Sequence, residues 1–364
     1  MKIEALQIAI QTRTPLLIWG PPGVGKTETV KALIKAMKLH GEIVIASIRE
    51  PSDFGGLPYL EVDGVKLAPP QWAKRLVAAG DGVLVLDEIN SAAPATQQAL
   101  LRVVLERVVG DCQLPPKLAM VAMANPPEHS SGKWDLTPEL ANRFLHLAFK
   151  LDPVTWSEGM IAGWPLPSIH KLPDGWESEL PKSRSMMAGF IRHRPSLLLQ
   201  QPQDESAAGR AWPSPRSLEM AATLLAACTA AGVNGETRAE LLSGSAGAAF
   251  ATEYFTWEKD QDLPDPMALI EDPSSGKLPE RGDRLFAALG AVVAVIAATD
   301  NGDDALKKKR WKAGWQVLAR AAKIQLDVTT SAARGLANLR PQNAECPEEV
   351  LQFKEIWDMV KPRA

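Results

Sequence analysis

Apolar and polar positions change their period part-way along this 364-residue chain. From Pro15 to Phe149, short continuous apolar runs alternate with stretches of helical spacing, which predicts a parallel sheet covered by helices. Four strands are expected, at Leu16 to Trp19, Ile43 to Ile48, Val83 to Leu86 and Leu118 to Ala124, each suited to burial on both faces. After the first, Val30, Leu33, Ile34 and Met37 form a helical stripe that Gly41 is expected to close. Pro94 to Glu106 predicts a further helix. Two segments break the alternation. Leu57 to Ala68 carries a turn signal at Asp63-Gly64, and Arg107 to Val109 and Cys112 to Leu114 flank Gly110-Asp111, so both predict inserted hairpins.

From Leu151 to Arg210 the chain is rich in Pro, Trp and Ser and predicts an irregular connector with a helix near Ser185 to Arg192. Beyond Trp212 the spacing turns helical. Helices are expected over Pro215 to Ala230, Thr237 to Phe255, Arg281 to Thr299, Asp304 to Ile324 and Pro347 to Val360. The expected division is an α/β core over 1–150, the connector over 151–210 and an all-α region over 211–364. MKIEALQIAIQTRTP reads as an amphipathic helix, because Glu4, Gln7 and Gln11 interrupt any signal-like apolar run. The longest apolar stretch, Leu285 to Ala298, falls short of the roughly 20 residues a membrane span requires, so no membrane partner is expected.

Composition narrows the compartment and the partners. Cys112, Cys228 and Cys346 lie far apart with no CxxC pair, which argues against disulfides or zinc and fits a reducing cytoplasm. A net charge of -3 supplies no global field for nucleic acid. His40, His129, His146, His170 and His193 show no metal-ligand spacing.

The strongest chemical signal is GPPGVGKT: Gly20, Pro21, Pro22, Gly23, Val24, Gly25, Lys26 and Thr27. It stands between a predicted strand and a predicted helix, where a phosphate loop belongs. Gly23 and Gly25 free backbone N–H groups to face phosphate oxygens, the helix start adds its dipole, Lys26 meets the β/γ charge and Thr27 can ligate Mg²⁺. About 60 residues on, VLVLDEIN ends an apolar strand in two carboxylates. Asp87 would hold Mg²⁺ and Glu88 would polarise an attacking water; the plain alternative is an acidic helix start. Asn125, at the end of the fourth strand, is either a second water-orienting group or an Asn-Pro turn residue.

Two arginines follow. In TPELANRF, Thr137 is expected as N-cap and Pro138 as the first helical residue, with Arg143 about one and a half turns in, either a salt-bridge partner or an arginine finger. In WPSPRS, Ser214 and Pro215 start a helix with Arg216 in its first turn. A cation there calls for a compensating anion, a nucleotide phosphate or a carboxylate.

In this order and spacing the motifs resemble the AAA+ ATPases, and within them the MoxR-type branch with a hairpin inserted in helix 2. The resemblance covers roughly Met1 to Ala227. It implies a P-loop NTPase core with two inserted hairpins, followed by an all-α lid and C-terminal helices. Gly20 to Thr27 matches Walker A, Asp87 and Glu88 Walker B, Asn125 sensor 1, Arg143 the arginine finger and Arg216 the sensor 2 arginine. It also implies ATP with Mg²⁺, a homo-oligomeric ring, usually a hexamer, and Arg143 acting on a neighbour's nucleotide. Such proteins look like chaperones that remodel a partner, often one with a von Willebrand factor A domain. The hairpins, with Tyr59 and Val109, would touch that partner.

The competing readings are a nucleic-acid motor of restriction or defence type and a nucleotide-gated scaffold. The hairpins carry few cations, chiefly Lys66 and Arg107, which weighs against the motor. Glu88, Asn125 and Arg143 together weigh against the scaffold. No N-K-x-D segment follows the Walker B strand to read guanine, so ATP is the expected nucleotide. LKKKRWK over Leu306 to Lys312 and RHR over Arg192 to Arg194 read as solvated faces. Trp164, Trp176, Trp257 and Trp311 are expected in the core.

Overall fold

The structure is a computed structural model that describes residues 1–126, 134, 136–233, 235–260, 263–299, 303–353 and 356. His129 lies outside the described residues. The chain forms two compact units, Met1–Asp174 with Leu199–Ala251, and Gly175–Leu198 with Thr252–Ala364.

Among the described residues the first unit has nine strands: β1 (Leu16–Trp19), β2 (Gly41–Ile45), β3 (Leu57–Glu61), β4 (Gly64–Ala68), β5 (Gly82–Asp87), β6 (Val108–Val109), β7 (Cys112–Gln113), β8 (Leu118–Ala124) and β9 (Leu145–Ala148). Five of them form one sheet in the order β2-β5-β8-β1-β9, every pair parallel. The central β8 and β1 are buried along their whole length, as their unbroken apolar sequences require. Leu84, Leu86, Met120 and Ala122 pack with Trp72 and Leu76 of the Gln71–Ala79 helix and Leu100 and Val103 of the Pro94–Glu106 helix. The fifth strand, β9, is one the periodicity did not single out. It is four residues long and edge-placed, with His146 in the middle.

Several boundaries differ from the sequence reading. Gly41 does not close the first core helix but begins β2, with Ile34 Cγ2 only 3.1 Å from where its Cβ would stand. The helix ends at Ala36, and Lys38 takes the left-handed turn (φ 56°), its successor Leu39 donating back to Ile34 O at 3.1 Å. The strand expected over Ile43 to Ile48 stops at Ile45 and tightens into a 3₁₀ turn over Ala46–Ile48. Thr237 to Phe255 is not one helix: the chain breaks at Gly247 (φ 91°) into Glu236–Ala246 and Ala248–Lys259. The Pro-rich connector contains a helix, Pro153–Ala162, nucleated by Asp152, whose carboxylate accepts from Val154 N and Thr155 N. Of the helix expected over Pro347 to Val360, Glu348–Gln352 is a 3₁₀ turn, and residues 354, 355 and 357–360 lie outside the described residues.

The two hairpins, β3–β4 and β6–β7, are fastened to each other. Leu67 N donates to Asp111 Oδ2 (2.7 Å) and Asp111 N to Leu67 O (3.0 Å). Glycine permits this approach: a Cβ on Gly110 (φ 58°) would stand 2.6 Å from Leu67 O. Gly110→Val is therefore expected to cost about 2–3 kcal/mol, from the left-handed backbone and the clash with Leu67, measured by denaturant unfolding. Gly55→Ala, in open space, serves as the neutral control.

The second unit is helical, with Leu180–His193, Gly282–Ala297, Asp304–Ala322 and Leu326–Asn338 as its longest described elements apart from the end of Ala248–Lys259. Trp311 and Trp315 fill its core among Leu285, Ile296 and Leu336, and Trp311 Nε1–H donates to Leu336 O at 2.8 Å. Trp257 is also buried and donates to Asp283 Oδ2. Burial works to raise the Asp283 carboxyl, yet the bidentate Arg281 and the Trp257 N–H outweigh it and hold it at about 2. In the first unit, Trp164 departs from the core expectation and is 61% exposed. The basic clusters are engaged locally: Lys308 pairs with Asp304, and Arg192 lies over Phe286. Among the described residues no helix is long and apolar enough to cross a membrane.

Candidate functional site

The predicted phosphate loop begins where β1 ends, at the carboxyl edge of the sheet, and β5 and β8 deliver Asp87 and Asn125 to the same edge. Gly23 (φ 77°) and Gly25 (φ 95°) take left-handed backbone, and Gly25 precedes the Lys26–Ala36 helix without any side-chain cap. That helix therefore opens with its positive end unblocked, the arrangement that receives a phosphate.

Hydrogen bonds gather seven of the predicted residues. Lys26 is buried, and its Nζ donates to Gly20 O (2.6 Å), Pro21 O (2.9 Å) and Asn125 Oδ1 (3.0 Å). Thr27 Oγ1 donates to Asp87 Oδ2 at 2.9 Å, and Asp87 Oδ1 accepts from Glu88 N at 2.9 Å. Glu88 adopts left-handed backbone (φ 55°), an uncommon conformation for a residue with a side chain.

Sequence reasoning passed over three partners of this group. Ser47, in the 3₁₀ turn after β2, donates to Glu88 Oε2 at 2.5 Å. Asn90 is buried and exchanges two bonds with the backbone of Asn125, Nδ2 to Asn125 O (2.8 Å) and Asn125 N to Oδ1 (3.2 Å). Its only sequence signal is a polar residue two positions after the paired carboxylates. The third is a stack at the foot of the loop. Arg210 covers Trp19 at 3.7 Å from the ring centroid, Trp19 Nε1–H donates to His146 Nδ1 (2.9 Å), and His146 Nε2–H reaches Ala141 O (2.9 Å). Burial lowers the His146 pKa to about 4, the Ala141 contact opposing and Arg210 adding to the shift, so the ring is neutral at pH 7.

The arginines form a second group. Thr137 occupies the N-cap position but makes no capping bond, and the Pro138–Ala141 helix is a single turn, so Arg143 lies just beyond its C-terminus rather than within it. Burial lowers the Arg143 pKa, and Arg216 lowers it further against the opposing pull of Glu139. Arg143 Nε is buried with no hydrogen-bond partner among the described residues. Arg216 sits in the first turn of the Pro215–Ala230 helix, where Ser214 and Ser217 form a capping box.

Residues 15–146 match the family described as ATPase family associated with various cellular activities (AAA), specifically AAA_3. This segment is similar to the ATPase core of that family. The match implies ATP hydrolysis, the activity in that family's description. The AAA core accounts for the parallel sheet and for the loop at its carboxyl edge. The chain is also 31% identical over 135 residues to the Nif-specific regulatory protein of Sinorhizobium fredii, covering 34% of this chain and 22% of that protein. It thus spans about a fifth of that relative's length. Among solved structures it resembles a candidate ATPase from Cytophaga hutchinsonii (TM-score 0.41, 20% identity, 67% of this chain and 80% of that one). It also resembles an MCM homolog from Methanopyrus kandleri (TM-score 0.38, 17% identity, 69% and 54%).

Proposed function

We propose that this chain is a MoxR-type AAA ATPase that spends ATP hydrolysis on remodelling a partner protein. The observation carrying the active-site part is the hydrogen-bonded convergence of Lys26, Thr27, Asp87 and Asn125 on one loop. Gly20 to Thr27 cradle the phosphates, with Lys26 exchanging its carbonyl acceptors for phosphate oxygens. Thr27 Oγ1 and Asp87 Oδ2 are hard oxygen donors on adjacent elements, the set Mg²⁺ prefers beside nucleotide phosphates. When bound there, Mg²⁺ neutralises charge on the β- and γ-oxygens. Glu88 takes the proton of the attacking water, and Asn125, fixed by Asn90, orients it. Arg143 and Arg216 stabilise charge on the transferred phosphoryl group, and Arg143 does so on a neighbouring copy's nucleotide in a ring, expected to be hexameric. The helices from Pro215 to the end of the described chain act as lid and C-terminal region, beyond a core over 1–150 and a connector over 151–210.

The hairpins favour a protein client over nucleic acid. Leu60, Val62 and Val65 are more than half exposed on β3–β4 and its turn, a surface suited to apolar side chains. The two cations that a nucleic-acid reading needs are engaged: Lys66 pairs with Glu61, and Arg107 donates to Leu118 O at 2.6 Å. Tyr59 is available for contact, whereas Val109 is fully buried and belongs to the core. A client bearing a von Willebrand factor A domain remains the proposal that the MoxR resemblance supplies. The purified protein is expected to hydrolyse ATP in preference to GTP, with turnover lost on chelation by EDTA. A preference for GTP would sink this reading.

A further inference from the structure

Asn142 is 4% exposed and sits directly before Arg143. Its Nδ2 donates to Trp212 O (3.2 Å), and its Oδ1 accepts from Ser214 Oγ (2.7 Å). Ser214 is the N-cap of the Pro215–Ala230 helix; its hydroxyl oxygen accepts from Ser217 N (3.1 Å) while its proton goes to Asn142. Ser217 Oγ in turn donates to Trp212 O at 2.9 Å. One buried amide thus bolts the loop that carries Arg143 to the helix turn that carries Arg216, across about 70 residues of chain.

Holding two guanidinium groups near each other costs electrostatic energy unless an anion joins them. Arg216 depresses rather than supports the charge on Arg143, whose buried Nε has no hydrogen-bond partner among the described residues. A buried, doubly hydrogen-bonded amide that enforces such a pairing is hard to explain by stability alone, since separating the two elements would relieve the repulsion.

We infer that Asn142 is a positioning residue that sets Arg143 and Arg216 on a single anion, the terminal phosphate of a nucleoside triphosphate. This rests on the proposed role of the arginines in phosphoryl transfer. Asn142 itself touches no phosphate. It fixes the spacing of the two groups that do, so its removal affects the transition state more than nucleotide binding, which Lys26 and the loop provide.

The test is a double-mutant cycle on the full-length protein, with hydrolysis of radiolabelled ATP followed in single turnovers so that slow variants are resolved. Asn142→Ala is expected to lower the hydrolysis rate at least tenfold while the Kd for ATP changes less than threefold. In an Arg143→Ala background, the same substitution is expected to change the rate less than twofold, because the group it positions is gone. If Asn142→Ala does not fold, Asn142→Asp, which keeps the acceptor for Ser214 Oγ and loses the donor to Trp212 O, enters the same cycle. An Asn142 variant within threefold of the parent while Arg143→Ala is impaired overturns the positioning role. So does a full, multiplicative effect in the Arg143→Ala background. Unimpaired turnover by Arg143→Ala instead overturns the underlying reading of the arginines.

Discussion

Glu88→Gln is expected to bind ATP as tightly as the parent protein and to hydrolyse it about 10²–10⁴ times more slowly, the range that a positioned general base contributes. The amide keeps the shape of the carboxylate and can still accept from Ser47 Oγ through its carbonyl oxygen, so the left-handed turn after β5 is undisturbed. What disappears is the capacity to take a proton from water. Binding should survive because none of Lys26, Thr27 or Asp87 depends on the Glu88 side chain for its contacts: Glu88 donates to Asp87 through its backbone N–H. Fluorescent-nucleotide titration and a phosphate-release assay on the same preparation separate the two quantities. A Glu88→Gln protein that hydrolyses ATP at the parent rate would remove Glu88 from the chemistry and leave Asp87 or a more distant base to be sought. A variant that holds ATP without turnover is also the form in which to capture a client, since a remodelling cycle arrested before hydrolysis keeps its partner engaged.

Why some of this could be read from the sequence, and some could not, follows from the range of the contacts involved. β1, β8 and the Pro215–Ala230 helix have the boundaries their sequences imply, because an unbroken apolar run or a Ser-Pro start is a local instruction. The same rule was available at Asp152-Pro153, where a Pro- and Trp-rich neighbourhood concealed an ordinary capped helix. The phosphate loop was legible because its chemistry lies within eight consecutive residues. Its supports were not: Ser47 to Glu88, Asn90 to Asn125 and Asn142 to Ser214 are each tens of residues apart. Nothing in a lone Ser or Asn announces a partner that only the folded sheet brings near. Arg143 shows the middle case. Its presence after a Thr-Pro start was visible, but the helix lasts one turn, so the residue sits on the following loop, where Asn142 can reach Trp212 and Ser214.

That placement bears on the last expectation, that Arg143→Ala loses about 10³–10⁵ in turnover, the scale of an arginine that stabilises charge on a transferring phosphoryl group. No hydrogen bond joins Arg143 to Lys26, Thr27, Asp87 or Asn125 among the described residues, whereas Lys26 is bonded to Asn125 and Thr27 to Asp87 around one loop. An arginine outside its own pocket contributes to hydrolysis only if another copy brings a nucleotide to it. Mixing Arg143→Ala with Glu88→Gln tests this directly. An Arg143→Ala copy keeps a complete pocket, and a Glu88→Gln copy keeps a complete arginine. Where the two adjoin in the right order, every group needed for hydrolysis is present, and at equal amounts about a quarter of the interfaces in a closed ring satisfy that condition. Phosphate release should therefore rise above that of either variant alone and track the mixing ratio, peaking near equality. If Arg143 instead served its own nucleotide, each chain in the mixture would lack one essential group and turnover would stay at the level of the separate variants at every ratio.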